Sequence, residues 1–358
     1  ELFDRAIRLD RRFAQAYAGL CDAYIGAYDF ARDPKSFENA EAACHRALTL
    51  DDGLWEVHVA LGNLYRTNAQ YENAILELNA AVELQPHAVS PYLGLAETYS
   101  AQNRLELAEA TYRQAEEIDG GYWGVHRAFG IFLYRHSRFD EAIKRFTKVT
   151  ELVPDSGIGY DNLGITYLQI AELDKAKATF NASPLPSRWT YLNRGLVYYY
   201  SGDFEKAVED QKRAIEIAPD VHASWGFLGD AYRFIPGEED NANIAYEKAI
   251  DLATQHLAIN PNDWRAVGQL SMYLAYAGRT EEALSRIEEL LKHSSDGDTY
   301  YFVTRVRLHV GDANGARDSL KLVVDSGGWS PALLARNPDF AGVRNEDGFR
   351  ELLQQPRG

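Results

Sequence analysis

The chain has 358 residues, 46% of them hydrophobic, and a formal net charge of −16. That length suits two or three ordinary domains or one long repeat array, and the acidic balance disfavours nucleic acid and anionic membrane as partners, because phosphate-binding surfaces need clustered lysine and arginine. No apolar run is long enough to span a bilayer, no basic-then-apolar leader opens the chain, and two cysteines are too few for a disulfide framework, so a reducing cytoplasm is expected.

Residues 1–10, ELFDRAIRLD, carry the apolar spacing of one helix. They read as the second helix of a unit whose first helix lies upstream, which makes the chain, starting at Glu1, a fragment. The first full unit, about 14–52, has Cys21 at a small position, Tyr24 three residues on, and an insertion, DFARDPKSFEN. Then come Gly62, Ala96, Gly130 and Gly164, each 34 residues after the last. Tyr65, Tyr99, Leu133 and Tyr167 follow three residues after these small residues. Ala74, Ala108, Ala142 and Ala176 follow at twelve, and Pro86 and Pro154 stand where a helix must stop.

Gly195 comes only 31 residues after Gly164, with NASPLPSRW as the short link, and Ala207 and Pro219 keep the phase. Gly229 restores the step of 34, and its unit, 221–262, carries the insertion RFIPGEEDNAN and ends at Pro261. Two weaker units follow, one built on Ser271, Leu274 and Ala283, the other around Thr304 and Ala316. The last stretch, GGWSPALLARNPDFAGVRNEDGFRELL, has no such phase. Because a repeat array must cover its open end, residues 327–358 are expected to form a C-terminal cap.

Self-similarity at this period with these residues resembles the tetratricopeptide repeat. The resemblance covers nearly the whole chain. It implies an all-α solenoid over 1–326, a right-handed superhelix of antiparallel helix pairs, about nine pairs plus a half repeat and the cap. Gly62 and Ala74 sit where two helices approach closely, and Ser201-Gly202-Asp203 supplies a tight turn.

At about 100° per residue, positions −4, −1, 0 and +3 around each small residue form one stripe, and −3, +1 and +4 a second. On this reading Tyr198 faces the core, Tyr199 joins the second stripe and Tyr200 lies near its outer, more exposed edge. In the family the second stripe lines a concave groove that takes extended peptides or partner helices. The candidate groove residues are Asn63, Arg66, Glu97, Arg127, Tyr134, Asp161, Trp189, Tyr199, Asp230 and Arg233, centred on Arg127, Tyr134, Trp189 and Tyr199. Aromatic and arginine side chains are the common anchors of interfaces.

Two family devices are missing. The clamp that grips acidic chaperone C-termini needs Lys at −3 with Asn at +1 in one unit, and Lys at −3 with Arg at +1 two units later; at −3 this chain has Ala18, Val59, Leu93, Arg127, Asp161 and Leu192, so no Lys fits and only Asn63, at +1, does. The asparagine ladder of the glycosyltransferase superhelix is matched only by Asn162 and Asn193. The wording of the insertions and of the closing segment resembles the C-terminal repeat regions of bacterial eukaryotic-like serine/threonine kinases and related cyclases and regulators. That implies a signalling arm whose effector domain lies N-terminal to these residues.

No catalytic motif stands out. The histidines show no metal spacing, GIGYDNLG lacks the strand that a phosphate loop needs, and His126 occupies a core position equivalent to Tyr92 and Tyr160. Cys21 and Cys44 are expected to be buried thiols rather than a disulfide. The expected protein is a non-enzymatic, cytoplasmic interaction scaffold without cofactor or metal. Its expected partners are a peptide segment, its own effector domain, or a second copy through the imperfect end units.

Overall fold

The computed structural model describes residues 2–31 and 33–354. Arg32, inside the first insertion, and residues 355–358 of the expected cap lie outside them. All regular structure among the described residues is helical. The chain forms two compact units, residues 1–132 and 133–358.

In the first unit a lone helix, α1 (Leu2–Leu9), precedes the pairs α2 (Ala14–Ala31) and α3 (Pro34–Leu50), α4 (Trp55–Thr67) and α5 (Tyr71–Leu84), and α6 (Val89–Ala101) and α7 (Leu105–Asp119). The division between units falls in α8 (Trp123–Arg135). The second unit continues with α9 (Phe139–Leu152), then α10 (Gly157–Gln169) and α11 (Leu173–Asn181), α12 (Arg188–Ser201) and α13 (Phe204–Ile217), and α14 (His222–Tyr232) and α15 (Glu239–Ile259). The pairs α16 (Trp264–Tyr276) and α17 (Thr280–His293), and α18 (Gly297–His309) and α19 (Ala313–Asp325), complete it. The short helices α20 (Pro331–Leu334) and α21 (Asp347–Leu353) follow, with a 3₁₀ turn at Pro338–Phe340 between them. The first insertion is absorbed as helix length: α2 runs 18 residues, and α3 starts on Pro34 with Asp33 accepting from the Lys35 amide.

The period is built into the backbone. Ala69, Asn103, Ser137 and Ala171, spaced by 34, all have φ near +60°, and Gly202, Gly278 and Gly311 hold the same left-handed turn in later pairs. In each, the next amide returns to a carbonyl five residues back, as Arg104 to Tyr99 at 2.9 Å and Arg279 to Leu274 at 2.8 Å. This closes the free carbonyls of the first helix.

The small positions are packing requirements. A Cβ at Gly62 would lie 2.5 Å from Leu78 Cγ, and one at Gly195 would lie 2.4 Å from the Gln211 amide nitrogen. Each neighbour stands sixteen residues on, on the second helix of the pair. Ala74, Ala108, Ala142, Ala176 and Ala207 are all buried, as their spacing implies.

A further periodic device appears at position −4. His58, Tyr92, His126 and Trp225 each hydrogen-bond, through the side chain, the carbonyl six residues upstream: Asp52, Pro86, Gly120 and Pro219, at 2.8–3.1 Å. His126 is thus a packed imidazole, as its position implied. The ring pins the incoming loop onto the first helix.

One expectation is corrected in the first pair. Cys21 and Cys44 are fully buried on facing helices, their Cα atoms 5.3 Å apart, and form a disulfide. That separation lies in the range a disulfide requires. A compartment inference based on two free thiols therefore loses its support.

Candidate functional site

The first helices of successive pairs stack side by side, α2 on α4 and α4 on α6 in the first unit, and α10, α12, α14, α16 and α18 in the second. The second-stripe residues therefore lie in rows across neighbouring helices.

In the first unit three candidates come together. Asn63 donates to Asp22 on the preceding first helix at 3.1 Å, Arg66 donates to Asn63 Oδ1 at 3.4 Å, and Arg66 pairs with Glu97 on the following one at 3.0 Å. These residues form a polar ladder across α2, α4 and α6. Arg127, on α8, is exposed.

In the second unit the candidates separate into four environments. Tyr134 packs edge-on against Phe139. Burial, with the charge of Asp298 adding and that of Arg265 opposing, pushes its hydroxyl up to about 12. Asp161 accepts from Ser187 Oγ at 2.9 Å and Thr190 Oγ1 at 2.6 Å, the residues that cap the start of α12. It therefore ties α10 to α12 across the shortened link. Trp189 is 51% exposed, with the Arg188 guanidinium 3.9 Å from its ring centroid.

Tyr199, Asp230 and Arg233 meet in a fourth place, and there the chain covers itself. Asp339, in the 3₁₀ turn, accepts from Arg305 Nε at 2.7 Å and from the Tyr276 hydroxyl at 3.3 Å, and pairs with Arg233. Arg305 also reaches Asp230 at 3.0 Å, and Asp230 accepts from the Tyr246 hydroxyl at 2.8 Å. Asn337 donates to the Tyr301 hydroxyl at 2.9 Å. Trp329 stacks on Tyr301 at 4.0 Å and donates to Asp298 at 2.9 Å. The preceding loop is held from another side, the Gly327 carbonyl by Ser137 and the Gly328 carbonyl by Gln169.

Burial alone would push the Asp339 carboxyl up, but the Arg305 and Arg233 charges outweigh it and hold it at about 2. Burial pushes the Tyr199 hydroxyl well above its ordinary value, with Asp339 and Asp230 adding.

The expected order of the three consecutive tyrosines is corrected here. Tyr199 and Tyr200 are the buried ones, the latter 8% exposed with its hydroxyl 3.5 Å from that of Tyr301, and Tyr198 is only half-buried. Residues 329–340 lie over the face that a bare array would expose.

Helix α21 packs on α19, while the stretch before it reaches the first helices. The stripe analysis missed Tyr301 and Arg305. They stand at −3 and +1 from Thr304, so the weaker last unit carried the signal. No periodic rule reaches Asp339.

Among the described residues no group of three or more His, Cys, Asp and Glu side chains could hold a metal ion, and no helix is long and apolar enough to cross a membrane.

Tetratricopeptide-repeat family models match residues 59–122 and 189–221. The chain is 30% identical over 129 residues to the type IV pilus assembly protein PilF of Pseudomonas aeruginosa, covering 36% of this chain and 50% of that protein. It is 26% identical over 235 residues to the BBSome complex member BBS4 homolog of Drosophila melanogaster, covering 62% and 47%. To human superkiller complex protein 3 it is 23% identical, over 82% of this chain and 17% of that one. The chain thus spans half or less of the length of these relatives. Among solved structures, yeast Tom70 superposes with a TM-score of 0.53 at 17% identity, over 78% of this chain and 60% of that one. The Cut9–Hcn1 complex of APC/C gives 0.53 at 18%, over 75% and 52%. This chain carries tetratricopeptide repeats in both of its units, within an all-α fold of antiparallel helix pairs.

Proposed function

We propose that the protein is an interaction scaffold that holds a polypeptide segment along the second-stripe face of its first helices. The observation that carries this reading is that a polypeptide segment, residues 329–340, already lies on that face in the second unit, among Tyr199, Asp230 and Arg233. Side chains on rigid helices are pre-organised, so the segment bears most of the ordering cost. The names of the relatives, a pilus assembly protein and a complex member, agree with a scaffold role.

Panning the full chain against a displayed random-peptide library tests it. Selected segments should bind the chain and lose affinity on Arg66→Ala with Arg127→Ala, or on Trp189→Ala, with helicity unchanged. If no segment is selected, or if binding ignores all three substitutions, the reading falls.

A second reading makes the array the regulatory arm of a signalling enzyme, as the resemblance to kinase and cyclase repeat regions implies. The self-covered face favours it, because an array whose face its own tail can cover or leave has two states to transmit. In a polypeptide that joins this array to an effector domain, effector activity indifferent to deletion of the array would exclude it.

A further inference from the structure

The segment 329–344 meets the first helices as a ligand would. It forms no helix pair, and it is anchored by side chains: the Asp339 carboxylate on Arg305 and Arg233, Asn337 on Tyr301, and a fully buried Phe340. Its tether, Asp325 to Gly328, is exposed, with Gly327 at φ +68°. The pocket is charge-selective. Arg305 and Arg233 face it against the single carboxylate of Asp230, so without Asp339 it would hold a net positive charge inside a chain of net −16. Burying such a charge unpaired is strongly unfavourable, so the pocket demands an anionic side chain.

The tail also leaves this pocket incompletely paired. The Tyr199 hydroxyl and Arg233 Nε are buried without a hydrogen-bond partner among the described residues, Tyr199 on α12 and Arg233 at the C-terminal end of α14. A segment that places one further acceptor beside Asp339 would satisfy groups that the tail does not.

We propose that the first-helix face of the second unit is a binding surface for a partner segment of the pattern Asn-Pro-Asp-aromatic carrying a second acidic residue, and that residues 330–344 occupy it until such a segment displaces them. This rests on the scaffold reading above and gives that surface its ligand class and its regulation. The tail is a tethered competitor with a local concentration on the order of millimolar. A segment in trans therefore binds with an affinity reduced by the fraction of chains whose face is open.

The test uses the isotope-labelled full chain and an unlabelled synthetic peptide, residues 330–344, with the same peptide bearing Asp339→Asn as control. Titration calorimetry reads binding, and hydrogen exchange followed by mass spectrometry reads the chain's own 330–344 segment separately from the peptide. Binding of the parent peptide with faster exchange in the chain's own segment, and at least roughly ten-fold weaker binding of the control, is expected. Asp339→Asn in the chain should strengthen peptide binding by about ten-fold or more. If that variant does not fold, the exchange measurement on the unsubstituted chain decides alone.

No peptide binding, binding without faster exchange in 330–344, or a shift of the chain to dimers in place of peptide capture would overturn the proposal. Panned segments that bind through Arg66 and Arg127 while the tail stays protected would overturn it too, and leave the scaffold reading standing.

Discussion

Arg305 Nε lies 2.7 Å from Asp339 Oδ2, with both side chains almost wholly buried, and the same guanidinium reaches Asp230 at 3.0 Å. One arginine thus bridges a first-helix carboxylate and a tail carboxylate. Arg305→Leu leaves Asp230 with the Tyr246 hydroxyl and no cation, and Asp339 with Arg233 and Tyr276 alone, and should cost about 3–5 kcal/mol. Asp339→Asn keeps an acceptor and leaves Arg305 paired with Asp230, so it should cost less. Urea unfolding of the two variants measures the order, and an Arg305→Leu loss no larger than that of Asp339→Asn would contradict the bridge.

Two pH windows follow. Asp339 is held at about 2 against an ordinary 3.8. Because its folded value is depressed, its contribution is complete above 3.8 and is lost as pH falls toward 2. The difference in stability between the parent chain and Asp339→Asn should therefore shrink across that interval. His222 is lowered to about 4 by burial and by the neighbouring His256, with Asp263 opposing. Its neutral form is favoured in the fold, so stability is complete above pH 6.5 and declines as pH falls from there to about 4. Thermal unfolding of His222→Gln across the same range should show a flatter profile; an unchanged slope would argue against the buried neutral ring.

Glycine and alanine should exchange signs between two positions, 195 and 171. Gly195→Ala gains helix propensity of about 1 kcal/mol but drives a methyl into Gln211, a fully packed side chain. Overpacking of that kind costs about 1–3 kcal/mol, so the net change should be destabilising and should be partly reversed by adding Gln211→Ala. Ala171→Gly relieves a left-handed alanine at φ +61° and should stabilise by about 1 kcal/mol. Denaturant midpoints of the three variants suffice.

The disulfide closes a loop across 23 residues between α2 and α3. Loop-closure entropy for that span is worth about 3 kcal/mol. Reductant, or Cys21→Ser with Cys44→Ser, should lower the unfolding midpoint of the first unit and leave that of the second in place. A drop in the second unit, or none in either, would count against this account.

The sequence by itself determined the helix pairs, the small contacts at Gly62 and Gly195, the buried alanines and the turn before each second helix. These are set by residues within one or two repeats of each other, so a fixed spacing records them. The stripe listed Tyr199, Asp230, Arg233, Asn63, Arg66 and Glu97 as members of one groove, and the structure groups the first three in the second unit and the last three in the first. Only the tertiary structure decided that Cys21 meets Cys44 closely enough to bond, that Tyr200 is buried rather than exposed, and that Asp339 completes the Arg233–Arg305 site. Periodicity reports which way a side chain points from its own helix. It carries no information about a segment outside the period, such as residues 329–344, whose place is fixed by burying charge against charge across more than a hundred residues of chain.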